Sequence, residues 1–271
     1  GTFTPNGGTV TLTGTTVTLQ SGNFFKLILN NAALALTLTN DTVVNNTLTF
    51  TAILSYNTSN SSAINAKGNV VFTDTTCTGT GRIVLNGAAA QSITGAGKCP
   101  GILEINKAAG TATLGATLTL QNATSNFNMI AGTFNCSTFA LVIPGDYTQT
   151  AGAFTGGSGA ITISGVFTIN GGTFTSTSGV MTVGNSFLVN AGTFAHNSGT
   201  VTMNGNATTL LNGIFFNLIL NNATLDLTVT NNSIVNNNLT ITAIQTFDTS
   251  NSSSIEARSN IVFTDTTWLG S

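Results

Sequence analysis

The chain has 271 residues, enough to bury a substantial core, yet only 5% of them are charged, against about 25% in ordinary globular domains. Six basic and eight acidic residues are scattered along it for a net charge of -2, and the missing basic patch excludes nucleic acid as a partner. Too few Glu, Lys and Arg remain to solvate helices, whereas Thr, Val, Ile and Phe suit strands, Asn and Gly suit turns, and 41% apolar residues in regular alternation exclude disorder.

Taken in chain order, the first element is the alternating strand Gly8-Thr9-Val10-Thr11-Leu12-Thr13-Gly14. From Phe24 to Phe72 the alternation continues, as in Leu34-Ala35-Leu36-Thr37-Leu38-Thr39, but no fixed period emerges. Residues 57–62 are the expected loop in this stretch. Gly81-Arg82-Ile83-Val84-Leu85-Asn86-Gly87 echoes the first strand, and Leu103-Glu104-Ile105-Asn106 echoes Leu27-Ile28-Leu29-Asn30. The coil boundaries across residues 24–131 stay open.

Beyond residue 131 a period of 20 appears. Phe134, Phe154, Phe174 and Phe194 recur in Gly-Thr-Phe or Gly-Ala-Phe. Leu141, Ile161, Met181 and Val201 form an apolar column, Ile143, Ile163, Val183 and Met203 a second, and Tyr147, Phe167 and Phe187 an aromatic third. Residues i and i+2 of a strand share a face, so these columns point inward while Val142, Thr162, Thr182 and Thr202 point outward. The spacing predicts a coil of about 20 residues over residues 132–210, with three short strands per turn and parallel pairing between turns about 4.8 Å apart.

Residues 192–271 then repeat residues 1–80 without a gap, 48 of the 80 pairs being identical. The chain thus reads as one continuous β-solenoid segment over residues 1–271, a tandem unit (1–191) followed by the opening part of the next unit (192–271). Neither end carries an atypical polar capping repeat. The expected partners are therefore neighbouring repeats of the same chain or identical chains end to end.

The expected fold is all-β, a parallel β-solenoid with no significant helix. Stacking like on like also explains the scarcity of charge: two like charges about 4.8 Å apart repel by on the order of 1 kcal/mol even in water, at every rung. The competing fold is a string of immunoglobulin-like sandwiches with Asn86-Gly87, Asn170-Gly171 and Asn204-Gly205 as hairpin turns. Sandwich strands have no reason to repeat one inward residue type at so regular a step.

Gly81-Arg82-Ile83-Val84-Leu85-Asn86-Gly87, Gln91-Ser92-Ile93-Thr94-Gly95, Leu103-Glu104-Ile105-Asn106-Lys107 and the later Gly-Thr-Phe strands resemble the repeats of very large secreted bacterial surface proteins, similar in style to filamentous-haemagglutinin-type adhesins. The resemblance spans nearly the whole chain. It implies a right-handed parallel β-helix, secretion to the cell surface or beyond, and a role as adhesin stalk, matrix fibre or filament. No binding residues transfer with it.

Chemistry is sparse. A hydrolase or lyase on such a scaffold needs two or three carboxylates on adjacent rungs, whereas Asp41, Asp146, Asp226 and Asp248 are isolated and Glu104 has only Lys107 nearby. Asp74 and its copy Asp265 read as turn formers. His196 is replaced by Pro5 in the other copy and reads as a surface turn residue. No catalytic residue, cofactor or metal ligand is expected. Cys77 and Cys99 are separated by close to one coil, which makes them candidates for a disulfide between rungs; Trp268 takes the place of Cys77 in the copy, and Cys136 is left over. Thr-x-Thr pairs such as Thr37 and Thr39 raise ice binding as an alternative. Sequons at Asn40, Asn45, Asn57, Asn60, Asn122, Asn222 and Asn251 are what an Asn- and Thr-rich composition produces.

No run of eighteen apolar residues occurs, so no membrane span is expected, and Gly1 does not open a signal peptide, which places any export signal outside this segment. The expected function is mechanical, a structural repeat of an extracellular fibre, filament or adhesin stalk. The alternative is a carbohydrate- or surface-binding module whose loops meet surface glycans.

Overall fold

The computed structural model describes residues 5–265. These form a parallel β-solenoid of about 13 turns, successive turns about 20 residues apart, with no helix among the described residues. Every strand pairing among them is parallel, beginning with Thr9–Leu12 beneath Lys26–Leu38 and ending with Asn238–Ala243 beneath Asn260–Phe263.

The regular period of the later half takes the expected form. Leu141 pairs with Ile161, Ile161 with Met181 and Met181 with Val201, while Ile143, Ile163, Val183 and Met203 stack two positions on. The intervening Val142, Thr162, Thr182 and Thr202 are half-buried, as outward positions on a pleated strand should be. Phe134, Phe154, Phe174 and Phe194 fall in one column, with ring centroids 5.5, 4.3 and 5.8 Å apart and interplanar angles of 24°, 4° and 13°. Phe127, Tyr147, Phe167 and Phe187 make a second column, and the two meet edge to face, as between Phe167 and Phe174 at 4.8 Å and 75°. Stacking along each column and T-shaped contact between columns are the two arrangements that the aromatic quadrupole favours.

The glycine of each Gly-Thr-Phe or Gly-Ala-Phe motif has a physical reason to be there. Gly132, Gly152, Gly172 and Gly192 take φ of 87°, 81°, 76° and 83°, where a Cβ is penalised. A Cβ on Gly152 would also lie 2.4 Å from the carbonyl oxygen of Gly132 in the turn below, and one on Gly172 would lie 2.2 Å from that of Gly152. The corner therefore stacks only if it is bare at every level.

The earlier turns vary in length, which hides their period from the sequence. Val10 pairs with Leu27, Leu27 with Leu48, Leu48 with Val70 and Val70 with Ile93, so each step is longer than the one below it. Two devices absorb the difference. Lys26–Leu38 and Leu48–Thr58 cross a corner as continuous strands, with register shifts between Leu29 and Ala35. Residues 59–63 are extruded between Thr58 and Ile64, with Asn60 and Ser61 in the left-handed region at φ 53° and 59°.

Side chains at the corners clamp one turn to the next. The Oδ1 of Asn126 accepts the Asp146 N–H, and the Oδ1 of Asp146 accepts the Val166 N–H, each at 2.8 Å. Asn170 and Asn190 bond side chain to side chain across neighbouring turns, as do Asn217 and Asn237. Neutral amides can stack in this way where like charges would repel.

The bridge considered between Cys77 and Cys99 is not formed; both are free thiols, as is Cys136, and all three are buried. Lys98 N–H bonds the Asp74 carbonyl and Ile102 N–H bonds the Gly81 carbonyl, so residues 98–102 run alongside the longer segment 74–81. Cys77 lies in that surplus, with its Sγ 3.4 Å from the carbonyl oxygen of Thr78. Its counterpart in the copy, Trp268, lies outside the described residues.

Candidate functional site

The polar and ionisable side chains are spread along the stack rather than gathered. Among the described residues no three His, Cys, Asp or Glu side chains come together in a group able to hold a metal ion. Among the same residues no helix is long and apolar enough to cross a membrane.

Asp74 is the most elaborately bonded acid. Its Oδ1 accepts the Thr76 N–H at 2.7 Å, the Thr76 hydroxyl at 2.8 Å and the Cys77 N–H at 3.2 Å, while its Oδ2 accepts the Ile53 N–H from the turn below. Burial pushes its carboxyl up, but the hydrogen bonds from Thr76, Ile53 and Cys77 outweigh that and hold it below the usual carboxylate range. Asp265 repeats the contact, its Oδ2 accepting the Ile244 N–H at 2.9 Å. This arrangement consumes the lone pairs of the carboxylate in fixing a turn, as the sequence reading of a turn former expected.

One buried cation escaped the sequence reading. Lys107 is only 2% exposed, and its Nζ donates to the carbonyls of Gly87 and Ala89 and to Gln91 Oε1. Gln91 in turn donates to the carbonyls of Ala66 and Gly68 and accepts the Gly87 N–H. Burial lowers the pKa of the ammonium. No sequence signal distinguishes this lysine, because its burial follows from the loop that folds over it.

Glu104 pairs with Arg82 at 3.2 Å across neighbouring turns instead of with Lys107. His196 lies in the turn after Thr193–Ala195, its Nδ1 accepting the Ser198 N–H at 3.0 Å. The cysteine thiols are inert by environment: burial, with the charge of Asp74 added, pushes Cys77 up to about 12, and burial raises Cys99 and Cys136 further. Outward Thr162, Thr182 and Thr202 stack in register, but Val142 precedes them and Ile219 follows, so the threonine row is three turns long.

A surface hollow of about 340 Å³ lies where the ladder is interrupted. Thr193–Ala195 pairs with Thr173–Thr175 below, while Ile214–Phe215 pairs with the turn above it. The stacked phenylalanine column loosens here, Phe194 and Phe215 standing 5.8 Å apart at 56°. Residues 189–194 line the hollow with Asn212 and Ile214. Its polar side chains already serve the fold: Asn190 donates to Asn170 Oδ1 and Asn212 to the Val189 carbonyl. With no ionisable group in its lining, the hollow offers hydrogen bonds and shape but no acid, base or nucleophile.

One surface loop recurs in both copies of the repeat. Residues 59–63 and their repeat counterparts 250–254 have the same build: Asn251 and Ser252 take φ of 53° and 60°, matching Asn60 and Ser61. Ser62 N–H and Ser253 N–H each close the loop on the carbonyls of Ser59 and Ser250 at 3.0 Å. Asp41 Oδ1 accepts the Ala63 N–H at 2.9 Å, and Asn232 Oδ1 accepts the Ser254 N–H at 3.0 Å. Comparison with protein-family models, with curated proteins and with solved structures returns no match to this chain.

Proposed function

We propose that this chain is a structural repeat segment of an extracellular fibre, filament or adhesin stalk. The observation that carries the reading is the parallel ladder, which links turn to turn through almost the whole described chain while the sequence of residues 1–80 recurs at 192–271. In such a stack each turn contacts its neighbours, length is added by adding turns, and backbone hydrogen bonds lie along the axis to bear tension. Side chains that are polar but uncharged let turns accumulate without accumulating repulsion. Secretion is part of the proposal, as the sequence resemblance implies.

Immunogold labelling of intact source cells with antibodies to this segment tests it, since a stalk or fibre predicts labelling along surface-attached or shed filaments. Labelling confined to the cell interior would overturn it. The second reading, surface or glycan binding, draws on loops 59–63 and 250–254, whose backbone is preset and whose tips are exposed. Retention of the isolated chain on a glycan array, lost when both loops are shortened to the tight corner found elsewhere in the stack, would favour it over an inert shaft.

A further inference from the structure

We propose that the repeat unit is out of step with the coil by one side, so that each copy of a surface feature stands one side further round the shaft. The coil has three sides, each a file of stacked strands. Phe134, Phe154, Phe174 and Phe194 mark the first, Leu141 to Val201 the second and Tyr147 to Phe187 the third. Val10 stands in the first file, which rises through Leu27, Leu48 and Val70 to Ile93 and Leu114, in the strand whose Ala112 pairs with Phe134. Its repeat counterpart Val201 stands in the second file, on Met181. Val17 and Leu36 pair on the second side. Their counterparts Thr208 and Leu227 pair on the third, where Leu210 stacks on Phe187. Ile64 stands in the third file, below Ile83, Leu103, Phe127 and Tyr147. Its counterpart Ile255 stacks on Ser233, between Thr249 of the third side and Asn260 of the second, and so belongs to the first.

All three files shift alike. Nine pairings lead from Ile64 up the third side to Thr249, and one further strand reaches Ile255. The unit thus covers nine turns and one side. The sides are interchangeable because each keeps the same inward alternation: Leu27 and Leu29 are fully buried on the first, as Leu218 and Leu220 are on the second. The loops obey the same shift. Loop 59–63 leaves the second side at Thr58 and enters the third at Ile64, whereas loop 250–254 leaves the third at Thr249 and enters the first at Ile255. A third tandem unit brings the loop to the remaining corner, and the first corner recurs only after about 28 turns, about 134 Å at about 4.8 Å per turn. The uncharged Thr-Ser-Asn-Ser-Ser segment is thereby presented in three directions, which suits contacts with several neighbouring shafts at once and leaves a partner lying along one side with every third loop. That consequence rests on the fibre reading; the advance by one side rests on strand pairing alone.

Dipolar spectroscopy on the full chain, with one nitroxide at Ala151→Cys and a second at either Asn60→Cys or Asn251→Cys, reads the corner of each loop. Ala151 is exposed at the corner between Tyr147–Gln149 of the third side and Ala153–Thr155 of the first. Loop 250–254 lies five turns above it on that same corner, an expected distance of about 24 Å. Loop 59–63 lies little more than four turns below it, but on the neighbouring corner. In a coil about 66 Å in perimeter that corner is about 22 Å to the side, which gives about 30 Å. Asn251 is therefore expected to be the nearer label. Were the loops on a shared corner, whichever it was, Asn60 would be the nearer, and that order would overturn the proposal. Labelling the parent chain controls for the native buried thiols. Because cysteine at a left-handed position can disturb a loop, Asn57→Cys and Asp248→Cys, at strand positions, repeat the comparison, with Asp248 expected to be the nearer. Both comparisons judge the advance by one side, while immunogold labelling judges the fibre reading separately.

Discussion

Replacing Phe174 by alanine removes a fully buried ring from the aromatic core. The side chain has no exposed surface and touches four others: Phe154 at 4.3 Å, Phe167 at 4.8 Å, Tyr147 at 5.2 Å and Phe194 at 5.8 Å. Truncating a buried phenylalanine costs about 3–5 kcal/mol in lost transfer energy and cavity formation, and ring pairs of this geometry contribute about 0.5–1.5 kcal/mol each beyond area. The flanking turns cannot collapse into the gap, because their rings are held by the same ladder, so the upper part of the range is expected. Thr182→Ala, an outward change one strand further along the same turn, should stay within about 0.5 kcal/mol. Urea denaturation followed by circular dichroism supplies the comparison, and hydrogen exchange should show the loss centred on Ala153–Thr155, Thr173–Thr175 and Thr193–Ala195. A cost for Phe174→Ala below about 1 kcal/mol would refute the inward column.

Three further outcomes follow from named contacts. Gly152→Ala should destabilise the stack by more than about 1 kcal/mol, since it combines a left-handed φ with a clash against the Gly132 carbonyl, while Gly8→Ala, with nothing within 4 Å, should not lower the denaturation midpoint. Asp74 has its carboxyl pKa lowered by folding, so its contribution is present above the unfolded carboxylate value of about 3.9 and is lost as pH falls through the folded value; acid titration of stability should show this dependence, and Asp74→Asn should reduce it. The three thiols should resist a disulfide reagent in the folded protein and react fully in denaturant; rapid reaction of Cys77 or Cys99 under native conditions would contradict their placement.

The later half of the chain was legible because nothing perturbs its period. Gly132, Gly152, Gly172 and Gly192 recur at one fixed step, and each bare glycine corner, stacked ring and outward threonine in the structure corresponds to a column visible by inspection. The earlier half was not, because a coil can change length without changing its inward pattern. The bulged crossing near residues 30–35 and the extruded loop 59–63 alter residue counts while Leu27, Leu48 and Val70 remain stacked. The loop itself was anticipated at residues 57–62, close to where Asn60 and Ser61 adopt their left-handed backbone. Cys77 and Cys99 fall on neighbouring turns, residues 98–102 running alongside 74–81, as their separation of about one coil suggests. Lys107 could not be found from sequence, because a lysine is buried only where carbonyls converge on it, and those of Gly87 and Ala89 come from a loop without periodicity.

The central claim is that the strands pair in parallel, each turn on the next, with successive turns about 20 residues apart. A density map of the full chain by crystallography or electron cryomicroscopy tests it most directly. The account predicts a rod of about 13 turns, roughly 62 Å long at about 4.8 Å per turn, with Phe134, Phe154, Phe174 and Phe194 in one interior file. Antiparallel sheets packed face to face about 10 Å apart, with those four rings dispersed among separate sandwiches, would contradict it.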